Sequence, residues 1–161
     1  MTTMEAKYYE DLVVGFTVES MGRTVTEPDV VMFNNIMKIM NPIHSDPEHV
    51  RDSMFDGMVA PAPFILTVSL GLLSGTGYLT GSVLGVLEYE NLKFLLPVRP
   101  GDTLYASVEV VARRETSDGK RGVVSLRDNT TNQRGETVYI GLRKILVRKR
   151  SSLGTDADEE R

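Results

Sequence analysis

The chain of 161 residues contains two histidines and no cysteine. One histidine, His44, stands in the run Asn41-Pro42-Ile43-His44-Ser45-Asp46-Pro47-Glu48. A neutral imidazole is the side chain best suited to accept and return a proton near pH 7. In a loop the same ring can equally cap a helix or bond to backbone. Asn41 has the groups to orient a water or a substrate amide, and an asparagine before proline is as much at home in a turn. Asp46 is close enough in sequence to serve His44 as a companion carboxylate, but its place before Pro47 and Glu48 suits a helix cap better. His49 falls one turn into that helix, where exposure is expected. The lack of cysteine excludes disulfides, thiolate zinc sites and thiol nucleophiles. Two histidines offer little to a metal, so none is expected. Ser69 lies in no Gly-x-Ser-x-Gly elbow. Gly75-Thr76-Gly77 closes a helix and is followed by no lysine, so it does not read as a phosphate loop.

The elements that must position His44 follow from local pattern. Residues 16–25 read as a strand leading to Thr26, which caps a helix with Asp29 at its third position. Val30, Phe33, Met37 and Met40 fall on one face of that helix, and Pro42 predicts its end near Met40. Asp46-Pro47-Glu48 starts a second, short helix closed by Gly57. Residues 61–73 are apolar on almost every side, which predicts a helix enclosed by other structure. Residues 82–92, 103–116, 122–129 and 136–148 are strand-like. Leu104, Ala106, Val108 and Val110 alternate with Tyr105, Ser107 and Glu109, the pattern of a sheet with one buried face. Asp118-Gly119 and Arg134-Gly135 read as hairpin turns. Connections this short make the sheet antiparallel. The expected class is therefore α+β, with five or six antiparallel strands curled around one long helix. Such a layer leaves an open edge, which predicts pairing of two copies.

Composition bounds the function classes. The length suits a single domain, taken as residues 1–150, and residues 151–161 read as an acidic, disordered tail. Of the net charge of −4, Asp156, Asp158, Glu159 and Glu160 against Arg161 supply −3. The nearly neutral body argues against nucleic acid as a partner. The run with Arg143, Lys144, Arg148, Lys149 and Arg150 reads as the solvated end of a strand. Residues 60–73 are interrupted by Pro61, Pro63, Thr67, Ser69 and Gly71 and fall short of the ~20 residues that cross a bilayer. No secretory signal is seen, and the expectation is a cytoplasmic protein without a membrane partner.

The run from Asn41 to Glu48, the run Asn91-Leu92-Lys93-Phe94-Leu95-Leu96-Pro97-Val98-Arg99-Pro100-Gly101-Asp102-Thr103-Leu104, and Asn132-Gln133-Arg134-Gly135-Glu136 together resemble the MaoC-like dehydratases, the group that includes (R)-specific enoyl-CoA hydratases. The likeness covers roughly residues 8–149. It implies a hot-dog fold, a sheet wrapped around a central helix, with two active sites built across a homodimer. It also implies a thioester substrate on coenzyme A or an acyl-carrier protein, with no cofactor beyond the coenzyme A of the substrate. Where catalytic members carry Gly-Asp-x-Asn-Pro-x-His, this chain has Lys38, Ile39, Met40, Asn41, Pro42, Ile43 and His44, so the aspartate position holds Ile39. Where the family has Ala-His-Gly at the start of the central helix, this chain has Ala60-Pro61-Ala62-Pro63.

The resemblance implies His44 and Asn41 as catalytic, the Ala62 N–H as donor to the thioester oxygen, and Ile39, Met40 and Ser69 as substrate-binding. Arg99 and the basic run, Arg148 within it, are expected at the phosphates of coenzyme A. Loss of one acid/base partner weakens a reaction by ~100 to 10,000 fold, so Ile39 predicts an impaired or altered hydratase. A carbonyl donor is a separate contribution of ~3 kcal/mol. Two other expectations remain open: a subunit that binds the acyl thioester or assembles with an active partner without doing chemistry, and a thioesterase.

Overall fold

The structure, a computed structural model of the chain, describes residues 4–55 and 57–152. Two short strands, β1 (Thr17–Glu19) and β2 (Arg23–Thr24), precede helix α1 (Glu27–Met37). A 3-10 turn, Pro42–His44, and the short helix α2 (Pro47–Val50) lead to the central helix α3 (Ala62–Ser74). Four long strands follow: β3 (Val83–Phe94), β4 (Thr103–Glu115), β5 (Arg121–Thr131) and β6 (Thr137–Arg148). They form an antiparallel sheet in the order β1-β4-β5-β6-β3, with β2 also paired to β4.

The inner face of the sheet carries Leu104, Ala106, Val108 and Val110 from β4, Val124 and Leu126 from β5, and Ile145 and Val147 from β6. Against it α3 lays Phe64, Ile65, Val68 and Leu73. Burying each such side chain is worth ~1.5–3 kcal/mol, which holds the helix in the cup of the sheet. Hairpin turns at Gly119 and Gly135, with φ of 68° and 75°, connect β4 to β5 and β5 to β6. The left-handed backbone there explains why both positions are glycine.

Four sequence expectations are corrected. The strand over residues 16–25 is broken at residues 20–22, because Ser20 bends to exchange hydrogen bonds with Ala106 and the Tyr105 ring occupies the space above Gly22. Helix α1 ends at Met37 rather than near Met40, because Lys38 adopts a left-handed conformation (φ 53°) and Ile39 N donates back to Asn34 O at 2.9 Å. That bond is the wider of the two that close a Schellman-type helix end. Helix α2 stops at Val50, well before Gly57. Helix α3 is not enclosed on all sides: Pro63, Thr67, Gly71 and Ser74 form an exposed stripe on the face away from the sheet.

The acidic tail is expected from residue 151. Residues Arg150–Ser152 form a 3-10 turn with Ser152 buried, and the remaining tail lies outside the described residues. Among the described residues, no helix is long and apolar enough to cross a membrane.

Candidate active site

His44 ends the 3-10 turn that Asn41 caps, the Asn41 side-chain oxygen accepting from Ile43 N at 3.3 Å. Pro42 at the first position presets φ for this turn. Two bonds then fix the histidine. Its Nδ1 lies 2.7 Å from the carbonyl oxygen of Val59, and its own carbonyl accepts from the Asn34 side-chain amide at 2.9 Å. A carbonyl only accepts, so Nδ1 carries a proton, and in the neutral ring Nε2 presents its lone pair. Nε2 makes no hydrogen bond among the described residues. The half-buried ring is thus held as a base, with the acceptor nitrogen free.

The three sequence runs that carry the resemblance meet here. Val59 N donates to Ile43 O, and Ala60 N donates to Val98 O at 2.8 Å, joining the first run to the second. Gln133 of the third run donates to Asp102 at 2.9 Å and accepts from Thr103 N at 3.0 Å. Val59 lies three residues before Ala62, so the two are at most about 11 Å apart. Ala62 is the first residue of α3, where an N–H has no intrahelical acceptor, and the flanking Pro61 and Pro63 have no N–H. The start of the central helix therefore offers one unencumbered backbone donor on the His44 side of the molecule.

The other expected residues are placed as follows. Ile39 is half-buried directly after the helix stop, and no described carboxylate bonds to the His44 ring. Met40 is 84% exposed and Met37 is also exposed, so neither is core within the single chain. Ser69 faces the sheet, fully buried, 2.6 Å from the Thr130 hydroxyl. Asp46 caps α2, accepting from Glu48 N and His49 N at 3.0 and 3.2 Å, and His49 is exposed. The Arg99 guanidinium donates to Phe55 O and its backbone N donates to Asp102 at 2.8 Å. Arg148 closes β6, a strand of 12 residues and about 36 Å, at the end away from Val138 and Leu95. Arg99 and Arg148 therefore form no common cluster within one chain. Among the described residues, no three histidine, aspartate or glutamate side chains gather as a metal site.

Sequence reading missed two features. Asn34, 4% exposed on α1, is the donor that ties α1 to the histidine loop. The second is a buried ion pair on the inner face of the sheet. Asp128 (β5) accepts from Arg143 Nε (β6) at 2.8 Å, and Arg143 Nη2 donates to the Tyr78 hydroxyl at 3.2 Å. Burial pushes the Asp128 carboxyl and the Tyr78 hydroxyl upward, with Arg143 partly offsetting both, and it pushes Tyr139 up to about 12. The strand alternation held the signal for this pair, because Asp128 follows Val124 and Leu126, and Arg143 precedes Ile145 and Val147, on inward positions.

Comparison with known proteins agrees with this arrangement. The family described as "MaoC like domain" matches residues 13–132. A mesaconyl-CoA hydratase of Cereibacter sphaeroides is 29% identical over 153 residues, covering 94% of this chain and 44% of that protein. The chain thus spans less than half the length of this relative. The crystal structure of a MaoC-like dehydratase from Rhodospirillum rubrum is 28% identical with a TM-score of 0.79, covering 90% of this chain and 99% of that one. A Mycobacterium tuberculosis protein with a double hotdog fold, 22% identical, superposes with a TM-score of 0.79 over 89% of this chain and 44% of its own. A six-stranded sheet around one helix is the hot-dog fold, and with the histidine turn, the second run and the third run all meeting at its rim, the chain belongs to the family of MaoC-like domains.

Proposed function

We propose that the protein hydrates a trans-2-enoyl thioester of coenzyme A, or of an acyl-carrier protein, to the 3-hydroxyacyl thioester, and catalyses the reverse dehydration. The observation that carries this reading is the His44 Nδ1–Val59 bond, which leaves Nε2 as an oriented base. Nε2 takes a proton from water, the hydroxide oxygen bonds to C3, and the π electrons move onto the thioester oxygen. The Ala62 N–H donates to that oxygen as charge develops, and the imidazolium returns its proton to C2. The Val59 carbonyl keeps its hydrogen bond to Nδ1 throughout. Asn41, its oxygen spent on the turn, has its amide nitrogen to offer the water. Water supplies both added groups, so the reaction needs no cofactor beyond the coenzyme A that carries the acyl group.

A second copy of the chain is part of this reading. Strand β3 is the long open edge of the sheet, and it exposes Val83, Leu84, Val86, Leu87 and Tyr89 along it. Unpaired backbone flanked by apolar side chains favours an antiparallel partner strand, and isologous pairing supplies one. The cysteine-free composition suits the reducing cytoplasm.

The test follows the loss of conjugated thioester absorbance for enoyl-CoA substrates. The expected result is turnover that falls at least ~100-fold in His44→Ala, and that rises in Ile39→Asp, where a carboxylate joins the histidine. Turnover unchanged in His44→Ala overturns the reading. A second reading, a subunit that binds the thioester without chemistry, is favoured by one observation: no described carboxylate reaches the His44 ring. Tight acyl-CoA binding with no turnover in either the native chain or Ile39→Asp would establish it. Release of free thiol would instead mark a thioesterase.

A further inference from the structure

The Asp128–Arg143 pair is out of place if stability alone is considered. Asp128 is fully buried and Arg143 is 7% exposed, among Leu73, Leu126 and Ile145. Replacing such a pair by apolar residues of similar volume is often neutral or stabilising. Arg143 also keeps a donor in reserve. Nε serves Asp128 and Nη2 serves Tyr78, while Nη1 bonds to nothing among the described residues. The arginine lines a cavity of about 360 Å³, walled by Leu70, Leu73, Tyr78, Val86 and Tyr89 and bordering the open β3 edge. A mostly apolar cavity whose lining has Arg143 as its one charged residue, beside Ser74, Thr80 and two tyrosines, fits an apolar segment that carries one hydrogen-bond acceptor. Asp128 already neutralises the guanidinium, so a neutral oxygen completes the site without adding charge. A second carboxylate would bring a net negative charge into apolar surroundings.

Within one chain the cavity cannot serve His44. Leu70 and Leu73 belong to the far end of α3, a helix of 13 residues and about 18 Å, and Tyr78 follows it, whereas His44 is tied to the approach to its start. Two-fold pairing of β3 edges about Tyr89, the middle of that strand, removes the separation. It sets the Val83 end of one β3 beside the Phe94 end of the other, and the Phe94 end continues through Leu95 to Val98, which bonds Ala60. The cavity of one copy then faces the histidine end of its partner.

We propose that Arg143 is a specificity-determining residue, binding through Nη1 a neutral oxygen, hydroxyl or carbonyl, on the far part of an acyl chain whose thioester lies at the other copy's His44. This rests on the hydratase reading for its catalytic consequence, but the binding preference exists without turnover. Unreactive saturated ligands therefore separate the two. Binding of hexanoyl-CoA, 6-hydroxyhexanoyl-CoA and adipyl-CoA, and of the same three tail types at eight and ten carbons, is measured by calorimetry on the native chain and on Arg143→Met.

The expected result is that the hydroxyl tail binds about 10-fold tighter than the plain tail at one of these lengths, as a hydrogen bond to a charged donor allows. The preference disappears in Arg143→Met. A hydroxyl tail no tighter than the plain one at every length, or a preference that survives Arg143→Met, overturns the proposal. Tightest binding of adipyl-CoA or its longer analogues overturns it as well, since the site would then be one for a second anion. If Arg143→Met does not fold, Leu70→Phe fills the cavity and leaves the ion pair intact. Affinity for the hydroxyl tail should then fall to that of the plain tail, and an undiminished hydroxyl preference overturns the proposal. Hydration that fails while the hydroxyl preference holds rejects the hydratase reading and not this one.

Discussion

At the scale of single residues, the site depends on how tightly His44 is held, and Asn34 is the less obvious part of that hold. Its amide nitrogen donates to the His44 carbonyl, while its side-chain oxygen is buried with no hydrogen-bond partner. The two effects on stability oppose each other. The hydrogen bond contributes ~0.5–1.5 kcal/mol, and an unsatisfied buried acceptor costs ~1–3 kcal/mol. Asn34→Ala removes both, so its stability should lie within about 1 kcal/mol of the native chain. The His44 turn, however, loses its tether to α1. The expected kinetic result is a several-fold fall in kcat with KM little changed, because the ring is less well aimed while the acyl site is untouched. Kinetics and thermal unfolding on the same preparation check this. A fall in stability with kcat intact would reduce Asn34 to a packing role. Neither the Asn34 tether nor the Val59 carbonyl could be read from sequence, since each joins His44 to a residue 10 or 15 positions away. What the sequence did carry was the residue type at the turn, through Asn41, Pro42 and His44.

At the scale of elements, α1 shows what local sequence encodes well. Thr26 accepts from Asp29 N, and the Asp29 carboxylate accepts from Thr26 N at 3.0 Å and from Arg23 at 2.9 Å. The Thr26 backbone N–H chiefly, with the Thr26 hydroxyl and Arg23, holds the Asp29 carboxyl below its ordinary value. A carboxyl whose pKa is lower folded than unfolded contributes stability above the unfolded value of 3.8, and that contribution is lost as pH falls through the lower folded value. A carboxylate in the first turn of an exposed helix contributes about 0.3–1 kcal/mol, so Asp29→Ala should cost about that near neutral pH. The gap should narrow steadily below pH 3.8. Urea midpoints of both proteins between neutral and strongly acidic pH measure it, and a gap that stays constant would show that the charge of Asp29 contributes nothing. The capping box, Pro47 at the head of α2 and the glycine turns at Gly119 and Gly135 were all legible because each depends on residues a few positions apart. The stop at Lys38 was not, because lysine has no preference for left-handed backbone. The only sequence sign was the glycine that the family pattern places at that position. The break between β1 and β2 was hidden for another reason: it is imposed by Ala106 and Tyr105, more than 80 positions away.

At the scale of the molecule, the open edge and the two separated ends of α3 have one common solution. Inside the sheet every strand but the outermost is covered on both sides, and β3 is left with one backbone edge unpaired and Leu87 55% exposed beside it. The histidine end and the Arg143 cavity lie at opposite ends of the same helix, so on the proposed reading a chain on its own holds each half of a site and completes neither. On that reading, pairing through β3 would cover the apolar edge and join the halves in one step, tying assembly to activity. Leu87→Lys places a charge on that edge, the device by which natural sheets prevent edge pairing. Sedimentation of the native chain should show a species of two copies. The variant should shift toward one copy at the same concentration, with its melting behaviour checked separately because a lone chain loses the stabilisation that association provides. Turnover per chain should fall with the fraction dissociated and recover as concentration is raised. A variant that sediments as a single copy yet retains the native turnover would show that one chain carries a whole site, and a variant that stays paired would place the interface elsewhere than β3.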